Sequence, residues 1–149
     1  MYHHILVPTD GSEIATKAVM AGIELARSLD ARLTFVSATE PFSSLGDRQQ
    51  AFHHMPEAMR KQALQYLDAA ARQAIDEAMK AAAVGGVAAE KVLTEASEPH
   101  GAIIATANSR GVDLIVMGSH GRSGIKAMLL GSVARKVLTH CKLPIMIVR

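Results

Sequence analysis

A glycine-rich stretch from Gly118 to Ser132 contains the groups best suited to bind a ligand. It follows the apolar run 113–117 and precedes a segment with helical spacing. Glycine lets backbone N–H groups approach an anion because it has no Cβ atom, and a following helix N-terminus adds donors and a favourable dipole. Ser132, Arg122 and Lys126 could add a hydroxyl and two positive charges. The stretch therefore predicts a phosphate-binding loop, with a glycine-rich linker as the open alternative.

This loop differs from two widespread phosphate-binding motifs. No Gly-Lys-Ser or Gly-Lys-Thr follows the first glycine at the spacing of a Walker A loop. The Gly-x-Gly-x-x-Gly pattern of dinucleotide-binding folds would come after the first strand, whereas Gly118 follows a late one. The class of ligand therefore has to be inferred with the help of other residues.

Asp10 is the second candidate, because it follows the first apolar run, Ile5–Val7, in the turn Pro8–Ser12. Open α/β sheets bind ligands at the carboxyl ends of their strands, where the strand order reverses. If the chain reverses between strands three and four, strands one and four become neighbours, and Asp10 and Gly118 face one crevice. Asp10 could then bind a ribose hydroxyl or the divalent metal of a triphosphate. The alternative is that Asp10 or Ser12 caps the following helix.

Hydrophobic periodicity predicts the elements that position these residues. Strand-like runs occur at 5–7, 33–38, 88–94, 113–117 and 144–148. Helical spacing occurs at 15–29, 57–82, from Ser97 to Gly111, and at 132–140, whereas 40–56 show little periodicity. The alternation predicts one α/β domain over residues 1–149, an open parallel five-stranded sheet with helices on both faces.

Composition excludes several classes of protein. The chain has 149 residues, 49% of them hydrophobic, which suffices for one domain with an apolar core. A net charge of +2 and an aromatic fraction of 3% argue against a nucleic-acid partner. No apolar run is long enough for a membrane span or a secretory signal, and the lone Cys141 cannot form an intramolecular disulfide. We therefore expect a cytoplasmic location and no membrane partner.

The seven histidines do not predict a transition-metal site. His3–His4 and His53–His54 are adjacent pairs, and no spacing resembles that of a zinc-binding set. His120 lies inside the glycine-rich stretch and could reach a ligand, but a solvent-facing loop position is the simpler interpretation.

Taken together, these motifs resemble the universal stress protein family. The resemblance is carried by Pro8–Ser12 after the first strand and by Asp113–Gly121, and it extends to the final run Pro144–Val148. Nucleotide-binding members of that family have Gly, two residues, Gly, nine residues, and then Gly-Ser or Gly-Thr. That spacing is met by Gly118, Gly121, Gly131 and Ser132.

The resemblance implies the strand order 3-2-1-4-5, a Rossmann-like fold similar to that of the adenine-nucleotide α-hydrolases, and ATP accompanied by Mg²⁺ or Mn²⁺. The phosphates would be bound by Gly118, Gly121, Gly131, Ser132 and the backbone N–H of Val133. Asp10 would contact ribose, phosphate or metal, and Pro8 and Val36 would line the pocket for adenine and ribose. The chain departs from the family in the extended stretch Phe42–Met55, which leaves a lid function open.

The function implied is that of an ATP-binding protein in the stress response or its regulation. A slow ATP hydrolase and a nucleotide-free interaction module are the alternatives, and no residue pair in the sequence supplies an obvious base for water attack. In the implied strand order, Pro144–Val148 forms an apolar sheet edge, which pairing around a two-fold axis would close. We therefore expect a homodimer through this strand, with Ile147 near its centre.

Overall fold

The computed structural model describes residues 1–39, 53–96, 98–121 and 129–149. The strands are β1 His4–Pro8, β2 Arg32–Thr39, β3 Ala89–Glu95, β4 Leu114–Gly118 and β5 Ile145–Val148. The helices are α1 Glu13–Leu29, α2 Glu57–Val84, α3 Pro99–Arg110 and α4 Ser132–His140. Within these ranges, no helix is both long and apolar enough to cross a membrane. The elements follow the order that the hydrophobic periodicity predicts.

The five strands form one parallel sheet in the order β3-β2-β1-β4-β5, which confirms the order implied by the family resemblance. β1 is central, and its Leu6 lies opposite Thr34 of β2 and Ile115 of β4. The chain therefore reverses direction along the sheet between β3 and β4. This reversal makes the carboxyl ends of β1 and β4 neighbours.

Helices cover both faces of the sheet, as predicted. Ile5 and Val7 of β1 belong to the core cluster under α1 and α2, whereas Leu6 belongs to the cluster under α3 and α4. Successive side chains of a strand point to opposite faces, so a strand that is covered on both sides needs a continuous apolar run. The runs in β1 and β4 meet this requirement.

The ends of the helices follow local capping rules. Ser12 is the N-cap of α1, and its Oγ accepts a hydrogen bond from the Ala15 N–H at 3.2 Å. α3 ends before Gly111, whose φ of 65° places it in the left-handed region. At the start of α3, the N-cap is Glu98, whose side chain makes no capping hydrogen bond. The predicted first residue, Ser97, and most of the stretch 42–55 lie outside the described residues.

Candidate functional site

The candidate site lies where β1 and β4 end side by side. Pro8, the last residue of β1, is half-buried and lies opposite Val36 of β2. The next residue, Thr9, donates its backbone N–H to the Val36 carbonyl oxygen at 2.9 Å. Val36 itself is buried in the core. The chain therefore leaves the sheet at a fixed point, and the turn into α1 begins there.

The side chains of Asp10 and Ser12 both accept backbone hydrogen bonds in that turn. Asp10 Oδ1 accepts a hydrogen bond from the Ser12 N–H at 2.9 Å, while the Ser12 Oγ caps α1. Gly11 stands between them with a φ of 77°, which few residues with a side chain adopt. The capping alternative for this segment is thus realised by Ser12, and Asp10 supports the turn through one of its two carboxylate oxygens.

The other carboxylate oxygen of Asp10 lies against the glycine-rich stretch. A Cβ atom built on Gly121 would lie 2.6 Å from Asp10 Oδ2, which is closer than non-bonded atoms approach. Gly121 is exposed, whereas Asp10 is half-buried. Two candidates that are 111 positions apart in the sequence therefore meet at the reversal point, and any side chain at position 121 would displace the Asp10 carboxylate.

Gly118 and Gly131 are constrained by protein contacts rather than by open space. A Cβ atom on Gly118 would collide with Cγ2 of Ile14, in the first turn of α1. A Cβ atom on Gly131 would lie 2.9 Å from the Cα of His120. The glycine spacing predicts that both residues let an anion approach, but it does not predict these two packing roles, because they depend on residues outside the motif spacing.

The N-terminus of α4 faces the same loop. The N-cap is Gly131, which has no side chain to offer, and Ser132 and Val133 follow as an exposed and a half-buried residue. The first N–H groups of an α-helix have no partner within the helix, and the helix dipole favours an anion there. This end of α4 could therefore bind a phosphate group. Arg122 and Lys126 lie outside the described residues.

Ser119 and His120 make contacts within the loop that the sequence did not predict. Ser119 is buried, and its hydroxyl is hydrogen-bonded to His120 Nδ1 at 3.1 Å. Its backbone N–H donates to the Val148 carbonyl oxygen, and its carbonyl oxygen accepts from the Gly131 N–H. His120 is half-buried, so its ring is in part exposed to solvent and in part packed against the protein. The one sequence signal for such a role was their position between Gly118 and Gly121, inside the glycine motif.

Two groups at the opposite end of the sheet have shifted pKa values. Burial lowers the pKa of His4, whose ring is hydrogen-bonded to Thr34 Oγ1 at 2.8 Å and to the Arg110 carbonyl oxygen at 3.1 Å. Burial of Asp113 acts to raise its pKa, but the backbone N–H groups of His4 and His3 donate to the carboxylate and lower it overall. Both groups hold the N-terminal strand in place and lie at the amino ends of β1 and β4, away from the crevice.

Comparison with known proteins identifies the family. The model of the universal stress protein family matches residues 1–149. Universal stress protein YxiE of Bacillus subtilis is 32% identical over 149 residues, which cover all of both chains. The structure of MJ0577 of Methanocaldococcus jannaschii has a TM-score of 0.81 and 26% identity, with 99% of this chain and 96% of that chain covered. A universal stress protein solved in complex with cAMP has a TM-score of 0.70 and 26% identity, with 99% and 97% covered. A match of this extent, on a sheet of this order, shows that the chain belongs to the universal stress protein family.

Proposed function

We propose that residues 1–149 form one nucleotide-binding domain that binds ATP together with Mg²⁺ or Mn²⁺ and acts in the stress response or its regulation. The observation that carries the proposal is the contact between Asp10 and Gly121, where a carboxylate and a side-chain-free loop meet at the reversal point of the sheet. Ligands of open α/β sheets bind at this point. The cAMP complex of a related universal stress protein supports an adenine nucleotide as the ligand class. A cytoplasmic location stays a prediction.

The phosphate groups would lie between the glycine loop and the start of α4. Gly118 and Gly121 would offer backbone N–H groups from the loop, and Ser132 and Val133 would offer theirs from the first turn of α4. Gly131 would contribute by leaving room for the phosphate, because its own N–H donates to the Ser119 carbonyl oxygen. Because Gly131 provides no capping side chain, a phosphate oxygen would take the role of a cap. Ser132 is exposed and can add its hydroxyl.

The base and ribose would lie toward β2. Pro8 and Val36 lie opposite each other at the ends of β1 and β2, next to the turn that carries Asp10. Pro8 is half-buried and offers an apolar surface, whereas the buried Val36 supports the pocket from below. The ligand would thus run along the carboxyl edge of the sheet from β4 to β2.

A metal ion would be bound through Asp10 and the phosphate oxygens. Mg²⁺ commonly takes one or two carboxylates together with phosphates and water, and does not need a cage of protein ligands. In the described part of the chain, no group of three or more His, Cys, Asp or Glu residues could bind a metal ion. The single carboxylate of Asp10 therefore fits a metal that arrives with the nucleotide.

We also propose a homodimer through β5, on the basis of a contrast between the two sheet edges. At the β3 edge, Lys91 forms an ion pair with Asp76 and Glu90 with Arg110, and such charges discourage pairing with another strand. At the other edge, β5 consists of four apolar residues, and Met146 is 43% exposed. Pairing of β5 with its copy around a two-fold axis would cover this apolar edge.

The proposed function is tested by two alanine substitutions of the same kind. Gly121→Ala puts a methyl group against the Asp10 carboxylate, whereas Gly101→Ala puts it into open space on α3. With Mg²⁺ present, isothermal titration calorimetry should give ATP binding by the parent and by Gly101→Ala, and binding at least tenfold weaker by Gly121→Ala. A parent that binds no adenine nucleotide would refute the function, and equal affinities in all three proteins would remove Gly121 from the site. Assay of phosphate release in the same samples distinguishes binding from slow hydrolysis.

A further inference from the structure

Ser119 connects three parts of the fold through its main chain. It is only 3% exposed, and its N–H donates to the carbonyl oxygen of Val148, the last residue of β5, at 2.8 Å. Its carbonyl oxygen accepts a hydrogen bond from the N–H of Gly131, the N-cap of α4, at 2.5 Å. Buried backbone groups are costly to leave unpaired, so these two bonds hold the end of β4, the end of β5 and the start of α4 together.

The side chain of His120 completes this arrangement. Its Nδ1 is 3.1 Å from the Ser119 hydroxyl, a polar group that needs a partner inside the protein. Its own backbone packs against Gly131 so closely that a Cβ atom there would lie 2.9 Å from His120 Cα and 3.1 Å from His120 Cβ. The position of His120 therefore fixes the position of Gly131.

We propose that Ser119 and His120 are positioning residues that form a brace, holding the two ends of the glycine-rich stretch at the separation that phosphate binding requires. Gly121 directly follows His120, and Ser132 directly follows Gly131, so the brace sets the distance between the donors of the loop and those of α4. Donors that are already in place avoid the ordering cost of binding and so raise affinity. This inference rests on the proposed function, and it adds two residues that need not contact the nucleotide.

The brace acts on the phosphate end of the site. The hydrogen bonds of Ser119 and the packing of His120 involve Val148 and Gly131, at the ends of β5 and α4. Pro8 and Val36 lie opposite each other on β1 and β2 instead. Loss of the brace should therefore weaken the binding of ATP. The binding of adenosine, which has no phosphate, should stay nearly unchanged. A general loss of folding would weaken both ligands equally.

The test compares two substitutions of His120. His120→Leu replaces the imidazole with an apolar side chain of similar bulk and so removes the partner of the Ser119 hydroxyl, whereas His120→Asn keeps a polar atom near the place of Nδ1. We expect His120→Leu to bind ATP about tenfold more weakly, or about 1.4 kcal/mol. His120→Asn should restore most of this loss. Calorimetry with ATP, and competition by adenosine, measure the two affinities, and circular dichroism checks that each variant is folded.

Ser119→Ala provides a second test, because it removes the other partner of the same hydrogen bond. Ser119→Ala and His120→Leu remove the same hydrogen bond, so the double variant should bind ATP no more weakly than the weaker single variant. Additive losses would overturn the brace, and so would an unchanged ATP affinity in His120→Leu or an equal loss in His120→Leu and His120→Asn. These outcomes leave the proposed function standing if the parent binds ATP. A parent that binds no ATP overturns the proposed function and the brace together.

Discussion

Asp10→Asn separates the two roles that the structure allows for Asp10. One carboxylate oxygen accepts the Ser12 N–H at 2.9 Å, and an asparagine carbonyl oxygen can accept the same bond. The substitution therefore keeps the turn and the cap of α1, and the midpoint of urea unfolding should change little. What it removes is the negative charge that lies against Gly121.

The loss of that charge should have opposite effects on two forms of the ligand. With Mg²⁺ or Mn²⁺, the carboxylate attracts the metal, and we expect Asp10→Asn to bind metal-ATP at least tenfold more weakly, about 1.4 kcal/mol. Without a divalent metal, the carboxylate repels the triphosphate. Two unit charges ~6 Å apart at an effective dielectric constant of ~20 interact by about 3 kcal/mol, so relief of this repulsion is large enough to measure. Metal-free ATP should therefore bind more tightly to the variant than to the parent.

The assay is calorimetric titration of the parent and of Asp10→Asn with ATP, once in excess Mg²⁺ and once in EDTA. The expected result is that Asp10→Asn weakens the binding of ATP in Mg²⁺ and strengthens it in EDTA. A loss of folding would weaken binding in both conditions. An Asp10→Asn variant that binds both forms like the parent would show that Asp10 serves only the turn. Weaker binding of both forms to the same degree would assign Asp10 to the ribose or to loop structure instead of the metal.

Two further predictions concern stability and assembly. Because burial lowers the pKa of His4 below its usual 6.5, protonation favours the unfolded chain, and the free energy of unfolding should fall as the pH drops below about 6.5. His4→Gln should lose less stability than the parent between pH 7.5 and pH 5, and equal slopes in urea unfolding would assign the effect to other groups. Ile147→Lys should weaken the β5 dimer, because the charge would be buried or would hold the strands apart. Light scattering at micromolar concentration measures this, and a monomeric parent or a fully dimeric Ile147→Lys variant would contradict the assembly.

The sequence predicted the elements well because their signals are local. The apolar runs of β1 and β4 and the helical spacing of α1 and α4 involve residues within a few positions of each other. The strand order came from the family resemblance and the glycine spacing, since periodicity alone does not say which strands are neighbours. The weakest local signal was that of the third strand, which was predicted at 88–94 and is β3, Ala89–Glu95, in the structure.

The sequence could not predict which neighbours each glycine of the motif contacts, because these are tertiary contacts. From the sequence, Gly118, Gly121 and Gly131 were equivalent positions of one motif. In the structure, they face three different neighbours, namely Ile14 of α1, the Asp10 carboxylate and the backbone of His120. A spacing pattern marks the three glycine positions, but the atom that a side chain would meet at each one is known only from the fold.

The same contacts explain why two helices that begin at one crevice have different roles. At α1, the Ser12 Oγ accepts from the Ala15 N–H and the Asp10 carboxylate accepts from the Ser12 N–H, so the protein's own oxygens cap this helix. At α4, the N-cap is Gly131, which has no side-chain oxygen to accept from the first N–H groups of the helix. An incoming phosphate therefore finds its donors at α4, while the turn before α1 presents a carboxylate that suits a cation or a hydroxyl. The reversal of the chain between β3 and β4 places these two unlike ends side by side, and a metal-bound triphosphate has the charges to match both.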